Sequence, residues 1–220
     1  MADRDPVEQY GIMPIVVLDK LEMAVPLAEA LIAAGLPVLE ITLRTPCALE
    51  AIQTIRKKFP SIWIGAGTVI RLPDSDGLKQ ALDHGAQFIV SPGFDAGIVA
   101  DALDAGVEAY PACSTGTDIM AALQFGVKTL KFFPAEALGG TKVLKALAVP
   151  FAHTGIKFLP TGGISEENLA EYLQLSCVRA CGGTWMAPAD SIKAGKWADV
   201  TARAKAAVAL AAKIRAGAKK

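Results

Sequence analysis

Lys131 lies in the apolar run Thr129-Leu130-Lys131-Phe132-Phe133-Pro134. Burying an unpaired charge is costly, so a lysine in such a run has either a partner or a purpose. Desolvation favours the neutral amine, and a neutral amine attacks carbonyls to form Schiff bases. Taken alone, the same lysine also fits the end of an edge strand, with its ammonium reaching back to water. Glu40 and Arg44 decide between the two. In Val38-Leu39-Glu40-Ile41-Thr42-Leu43-Arg44 the residues Glu40, Thr42 and Arg44 alternate with Leu39, Ile41 and Leu43. In a strand that pattern puts the three polar side chains on one face. A carboxylate can move protons and a guanidinium fork can hold a carboxylate of a substrate. An amine, an acid and a carboxylate clamp together specify carbonyl chemistry on an oxo acid. A structural ion-pair cluster is the plainer alternative.

A second signal is glycine. Pro160-Thr161-Gly162-Gly163-Ile164-Ser165 and Gly182-Gly183-Thr184 each follow an apolar segment. Glycines there let backbone N–H groups close on an anion. One Gly-Gly pair is usually just a turn; two at neighbouring strand ends point to a phosphate.

These residues need elements to position them. Apolar strand candidates begin near Met13, Val38, Trp63, Phe88, Val107, Thr129, Lys157 and Val178. Helical patterns fall between them: 23–34, 47–58, 76–84, 95–105, 117–125, 141–148 and 166–173, with a last one over 197–215. Gly35, Gly85, Gly106 and Gly126 sit where helix C-caps belong, and Asp95, Thr117 and Thr141 where N-caps belong. Repeated strand–helix units in a chain of 220 residues indicate an α/β protein of the (β/α)8 TIM-barrel type. A doubly wound open sheet is the second choice, since no composition break divides the chain. The expected organisation is one barrel domain over residues 1–220, with a short N-terminal extension and a C-terminal helix. Active sites of such barrels lie at the C-terminal strand ends. Because the apolar alternates must face the helices, Glu40, Arg44 and Lys131 point to the barrel axis. In Ile64-Gly65-Ala66-Gly67-Thr68 the alternation brings Thr68 near the same rim.

Composition narrows the partners. Lys+Arg and Asp+Glu are 22 each, so no basic excess calls for nucleic acid. Mean hydropathy is +0.38, yet no apolar run reaches the roughly 18 residues of a membrane span. The high value fits buried parallel strands and Ala-rich helices. Cys47, Cys113, Cys177 and Cys181 form no CxxC pair and have no nearby His. They read as free thiols in a reducing cytoplasm, and no metal site or cofactor is expected.

The segments Val38–Thr45, Gly65-Ala66-Gly67-Thr68-Val69, Ser91-Pro92-Gly93, Leu130-Lys131-Phe132-Phe133-Pro134-Ala135-Glu136 and Pro160–Ile164 closely resemble the 2-keto-3-deoxy-6-phosphogluconate (KDPG) aldolases of the Entner–Doudoroff pathway. That family includes bifunctional enzymes acting on 4-hydroxy-2-oxoglutarate (KHG). The resemblance runs in order from about Met13 to Trp185, and Lys-Phe-Phe-Pro-Ala-Glu is its most specific part. It implies a class I, metal-independent lyase on a (β/α)8 barrel, typically a homotrimer. Lys131 would be the Schiff-base lysine and Glu40 the acid/base. Arg44, Thr68 and Thr161 would bind the pyruvyl carboxylate and substrate, Pro92 and Phe133 would wall the pocket, and Gly162, Gly163, Gly183 and Thr184 would hold phosphate. Thr184 stands where the family usually has Ser; the hydroxyl is kept and the added methyl narrows the pocket. Aldol cleavage of the C4-epimeric phosphogalactonate acid, non-covalent isomerase or decarboxylase chemistry, and a silent sugar-phosphate-binding barrel are the alternatives.

Overall fold

The computed structural model describes residues 6–218; residues 1–5 and 219–220, the outer ends of the expected domain, lie outside the described residues. Strands Ile12–Val16 (β1), Val38–Thr42 (β2), Trp63–Gly67 (β3), Phe88–Val90 (β4) and Glu108–Tyr110 (β5) follow one another along the chain. Ala112–Cys113 (β6), Thr129–Phe132 (β7), Lys157–Phe158 (β8) and Cys181–Gly183 (β9) complete the set described here. They form a parallel sheet in the order β9-β1-β2-β3-β4-β5 and a second parallel sheet in the order β8-β7-β6. A short hairpin, Arg71–Leu72 with Ser75–Asp76, projects after β3.

On one side the chain itself links the two sheets, and on the other isolated bridges do. Between β5 and β6 the chain passes through Pro111, which has no N–H to give and interrupts the ladder. Its carbonyl still accepts from Lys131 N–H at 3.0 Å, and the Cys113 carbonyl accepts from Phe133 N–H at 3.3 Å. On the other side Phe158 bridges Val178 and Thr161 bridges Gly182, with Gly182 N–H donating to Pro160 at 2.9 Å.

Two apolar layers result from strand alternation. Leu39, Ile41, Ile64, Ala66, Leu130 and Phe132 pack outward against helices such as Ala24–Ala33 (outward of β1–β2) and Ala48–Lys58, whose Ile52 and Ile55 are buried. Met13, Val38, Phe88, Val90, Tyr110, Leu159 and Ala180 form a separate inner cluster with Val7 of the N-terminal helix Pro6–Tyr10. Each Val, Leu, Ile, Phe or Met among them contributes roughly 1.5–3 kcal/mol on burial. The inner cluster floors the space in which Glu40 and Lys131 stand, one strand repeat further along β2 and β7.

Several expected boundaries move. Gly35, Gly85, Gly106 and Gly126 take positive φ after their helices, and Asp95 caps its helix through Ile98 N–H, as expected. Thr117 and Thr141 are not the caps. Thr115 and Asp118 make a reciprocal capping box for the helix Gly116–Gln124, and Gly139, with φ 106°, precedes Gly140–Ala148. The expected helix over 166–173 is regular only at Leu169–Leu173. The final strand begins at Cys181 rather than Val178, which makes a single bridge. Helices Pro6–Tyr10 and Ala189–Lys193 had no sequence expectation; both are a turn or so long, too short for periodicity to register. The last helix runs Trp197–Ala218.

Candidate active site

Lys131 and Glu40 meet inside the strand layer. Lys131 Nζ lies 3.8 Å from Glu40 Oε1; Glu40 is fully buried and Lys131 is 7% exposed. The register that brings them together is the alternation read from the sequence: Leu39 and Ile41, Leu130 and Phe132 face outward, so the residues between face in. Among the protein groups around it, neither oxygen of Glu40 has a hydrogen-bond partner. Burial drives its carboxyl above the ordinary glutamate range, and the positive charges of Lys131 and then Arg44 oppose that rise without cancelling it. A buried acid with an elevated pKa and an amine beside it is equipped to give and take protons. The Phe133 ring completes the contact, its centroid 5.0 Å from Lys131 Nζ, where its face attracts the ammonium.

Room for Glu40 comes from β3. A Cβ on Gly67 would sit 2.0 Å from Glu40 Oε1, and one on Gly65 would sit 2.4 Å from the Phe88 ring. Gly65 and Gly67 therefore face inward while Ile64 and Ala66 pack outward. Thr68 then leaves the strand with φ 57°, an unusual conformation for a β-branched residue. Gly67→Ala forces the carboxylate off its position. A displacement near 1 Å costs about 10²-fold in rate. We expect kcat to fall by roughly that factor while far-UV circular dichroism and Tm stay close to wild type.

The other expected residues line the rim. Arg44 is exposed in the turn after β2; its Nε donates to Thr42 Oγ1 at 3.2 Å, and Thr42 in turn donates to the Val16 carbonyl at 3.3 Å. Arg44 thus reaches Glu40 through its charge rather than by contact. Thr161 is buried beside Gly182, where a Cβ would come within 2.7 Å of its Oγ1. Pro92, exposed, follows β4 in a loop held by a hydrogen bond from Ser91 Oγ to the Gly93 carbonyl at 2.7 Å. Thr184, exposed, follows β9.

Gly162 and Gly163, with φ of 96° and 82°, lie against the segment that carries Lys131. A Cβ on Gly162 would meet Pro134 Cα at 3.2 Å and the Phe133 ring at 3.3 Å; one on Gly163 would meet Glu136 Cβ and Cγ at 2.6 Å. Ala135 N–H donates to Thr161 and Glu136 N–H to Gly162, at 2.8 and 3.0 Å. Asn168 Nδ2 donates to the Gly163 carbonyl at 2.9 Å from the other side. On the neighbouring strand end, the Trp185 ring lies where a Cβ on Gly183 would be, 2.0 Å from its Cζ3. Gly162 and Gly163 are needed for conformation as well as for close packing, and Gly182 and Gly183 for close packing alone. Gly67, Glu136 and Trp185 were not singled out from sequence. Gly67 was within reach, since it alternates with Ala66 and so lies on the inward face of β3, beside the strand that carries Glu40; the others depend on contacts that spacing does not reveal.

Among the described residues no group of three or more His, Cys, Asp or Glu side chains could hold a metal ion. No helix among them is long and apolar enough to cross a membrane. The family model for KDPG and KHG aldolase matches residues 5–203. A 2-dehydro-3-deoxy-phosphogluconate aldolase from Treponema pallidum is 48% identical over 198 residues, covering 90% of this chain and 92% of the relative. A solved KDPG aldolase from Legionella pneumophila, with pyruvate captured at low pH as a covalent carbinolamine intermediate, superposes with TM-score 0.85 at 38% identity, over 93% of this chain and 98% of that one. The Zymomonas mobilis enzyme solved with 3-phosphoglycerate gives TM-score 0.83 at 41% identity, over 95% and 97%.

Proposed function

Because the chain belongs to the KDPG and KHG aldolase family, we propose that it cleaves 2-dehydro-3-deoxy-6-phosphogluconate to pyruvate and D-glyceraldehyde 3-phosphate through a Schiff base on Lys131. The observation that carries this is the Lys131–Glu40 contact inside the strand layer. Lys131 Nζ attacks the C2 ketone. Glu40 passes a proton to the carbinolamine oxygen, which leaves as water, giving the iminium. The iminium is the electron sink that a metal supplies in other aldolases. Glu40 then takes the C4 hydroxyl proton, the C3–C4 bond breaks and the aldehyde departs. Its electron pair forms an enamine, which is protonated at C3 and hydrolysed to pyruvate, freeing Lys131. At 3.8 Å the pair is looser than a direct N–H···O bond, a gap that a water or the substrate oxygen can bridge.

Arg44, with Thr68 and Thr161, is the set we assign to the substrate carboxylate, and Pro92 and Phe133 the pocket walls. The Gly162-Gly163 and Gly183-Thr184 loops take the phosphate, as loops at these strand ends commonly do. Cleavage of 4-hydroxy-2-oxoglutarate at the same site follows from the same chemistry, since it needs no phosphate. The two sheets read as one closed (β/α)8 barrel, supported by the continuous chain through Pro111 on one side and by the bridges Phe158–Val178 and Thr161–Gly182 on the other. By resemblance the assembly is a homotrimer, and the four free cysteines fit a reducing cytoplasm.

The test of the phosphate assignment is a substitution at Gly163. Any side chain there meets Glu136 rather than projecting into open space, so it moves the loop instead of plugging it. Gly163→Val is expected to lower kcat/KM for the phosphorylated substrate at least tenfold more than for an unphosphorylated 2-oxo acid, because remote binding energy raises kcat/KM. Equal losses on both substrates would reduce these glycines to turn residues.

A further inference from the structure

Beneath the Gly162-Gly163 loop lies a polar contact that the aldol chemistry does not use. Tyr172 is fully buried on the helix Leu169–Leu173, and its hydroxyl donates to Glu136 Oε1. Glu136 is otherwise at the surface. Its stem fills the place of the missing Gly163 side chain, its N–H holds the Gly162 carbonyl, and its Oε1 would lie 3.0 Å from a Cβ on Gly140. Gly140 N–H donates to Ala135 at 2.9 Å and Gly139 N–H to the Glu136 carbonyl at 3.0 Å, so the segment is tied down on that side too. One carboxylate is thus fixed at the base of a loop assigned to an anion. Burial, and then the carboxylate itself, push the Tyr172 hydroxyl above its usual range, so it stays a donor at every working pH.

We propose that Tyr172 is a positioning residue for phosphate recognition: its hydroxyl anchors the Glu136 carboxylate below the Gly162-Gly163 loop, which keeps that negative charge from the substrate phosphate and fixes the stem on which the loop amides rest. The inference builds on the phosphate assignment above. A free carboxylate at this point repels a dianion, and a stem without its anchor no longer sets the direction of the two amides. Lys131 and Glu40 are untouched by either change, so the effect falls on binding of the phosphorylated end and not on the bond-breaking step.

The experiment compares phosphorylated 2-dehydro-3-deoxy-6-phosphogluconate with unphosphorylated 4-hydroxy-2-oxoglutarate in wild type, Tyr172→Phe, and Tyr172→Phe combined with Glu136→Gln. Phenylalanine keeps the buried ring, and a melting curve checks that each variant folds. Tyr172→Phe is expected to raise KM for the phosphorylated substrate roughly tenfold, the size of one lost hydrogen bond to a charged group, with kcat and the unphosphorylated reaction little changed. Adding Glu136→Gln removes the liberated charge and is expected to recover most of that KM. If wild type shows no preference for the phosphorylated substrate, the phosphate assignment fails and the proposal with it. If wild type shows the preference and Tyr172→Phe keeps it intact, or loses both substrates equally, the proposal alone is overturned. Failure of Glu136→Gln to recover KM overturns the charge-anchoring role.

Discussion

Lys131→Met is expected to lose retro-aldol cleavage by about three orders of magnitude or more, because on the proposed mechanism it removes the atom that forms the covalent bond. The methionine keeps the stem and the packing, so the variant is expected to fold. In wild type, pyruvate with borohydride is expected to inactivate the protein and leave a single reduced adduct on the peptide containing Lys131. Modification confined to another lysine would remove the mechanism. The same trapping separates the rival readings: an acid–base isomerase and a silent sugar-phosphate binder both leave the lysine unlabelled. Glu40, lacking a hydrogen-bond partner among the protein groups around it, is then left without its cation and is expected to remain protonated over a wider pH range.

Glu40→Gln is expected to slow turnover by roughly 10²–10⁴-fold, the usual contribution of a general acid–base. Trapping of pyruvate should slow as well, since carbinolamine dehydration needs the same proton. A near wild-type kcat would make Glu40 structural. Stability gives a second readout with a definite sign. The folded-state value of Glu40 lies above its reference of 4.5, so the stability it contributes is complete below that reference and declines as pH rises through the raised value. Glutamine carries no such penalty. The Tm of the variant relative to wild type should therefore climb as pH increases from acid to neutral.

The meeting of Lys131 and Glu40 was legible because two short strands alternate cleanly. Leu39-Glu40-Ile41 and Leu130-Lys131-Phe132 each bracket one polar residue with two that must face helices, and that alone sets both ends of the 3.8 Å contact. The helix C-caps were legible for a similar local reason: glycine at positive φ is the cheapest way to end a helix. What stayed hidden depends on distant partners. Tyr172 and Glu136 are 36 residues apart in the chain, and no period joins them. The cap at Thr115 was hidden by Thr117 two residues on, a residue of the same type. The break at Pro111 divided a strand that its apolar character had made continuous. Thr68 takes a backbone conformation that its residue type argues against, and nothing in its neighbours announces that.

Gly67 and Glu40 carry a lesson for anyone reshaping this pocket. With 2.0 Å between a would-be methyl and the carboxylate oxygen, the two positions share one volume. Their substitutions are therefore epistatic. Screened singly for activity, substitutions at 67 and at 40 are each expected to score poorly, so both positions look immutable. The constraint belongs to the pair: shortening the acid at 40 to aspartate opens the space that alanine at 67 needs, so a fitness landscape sampled one site at a time misses the ridge that joins them.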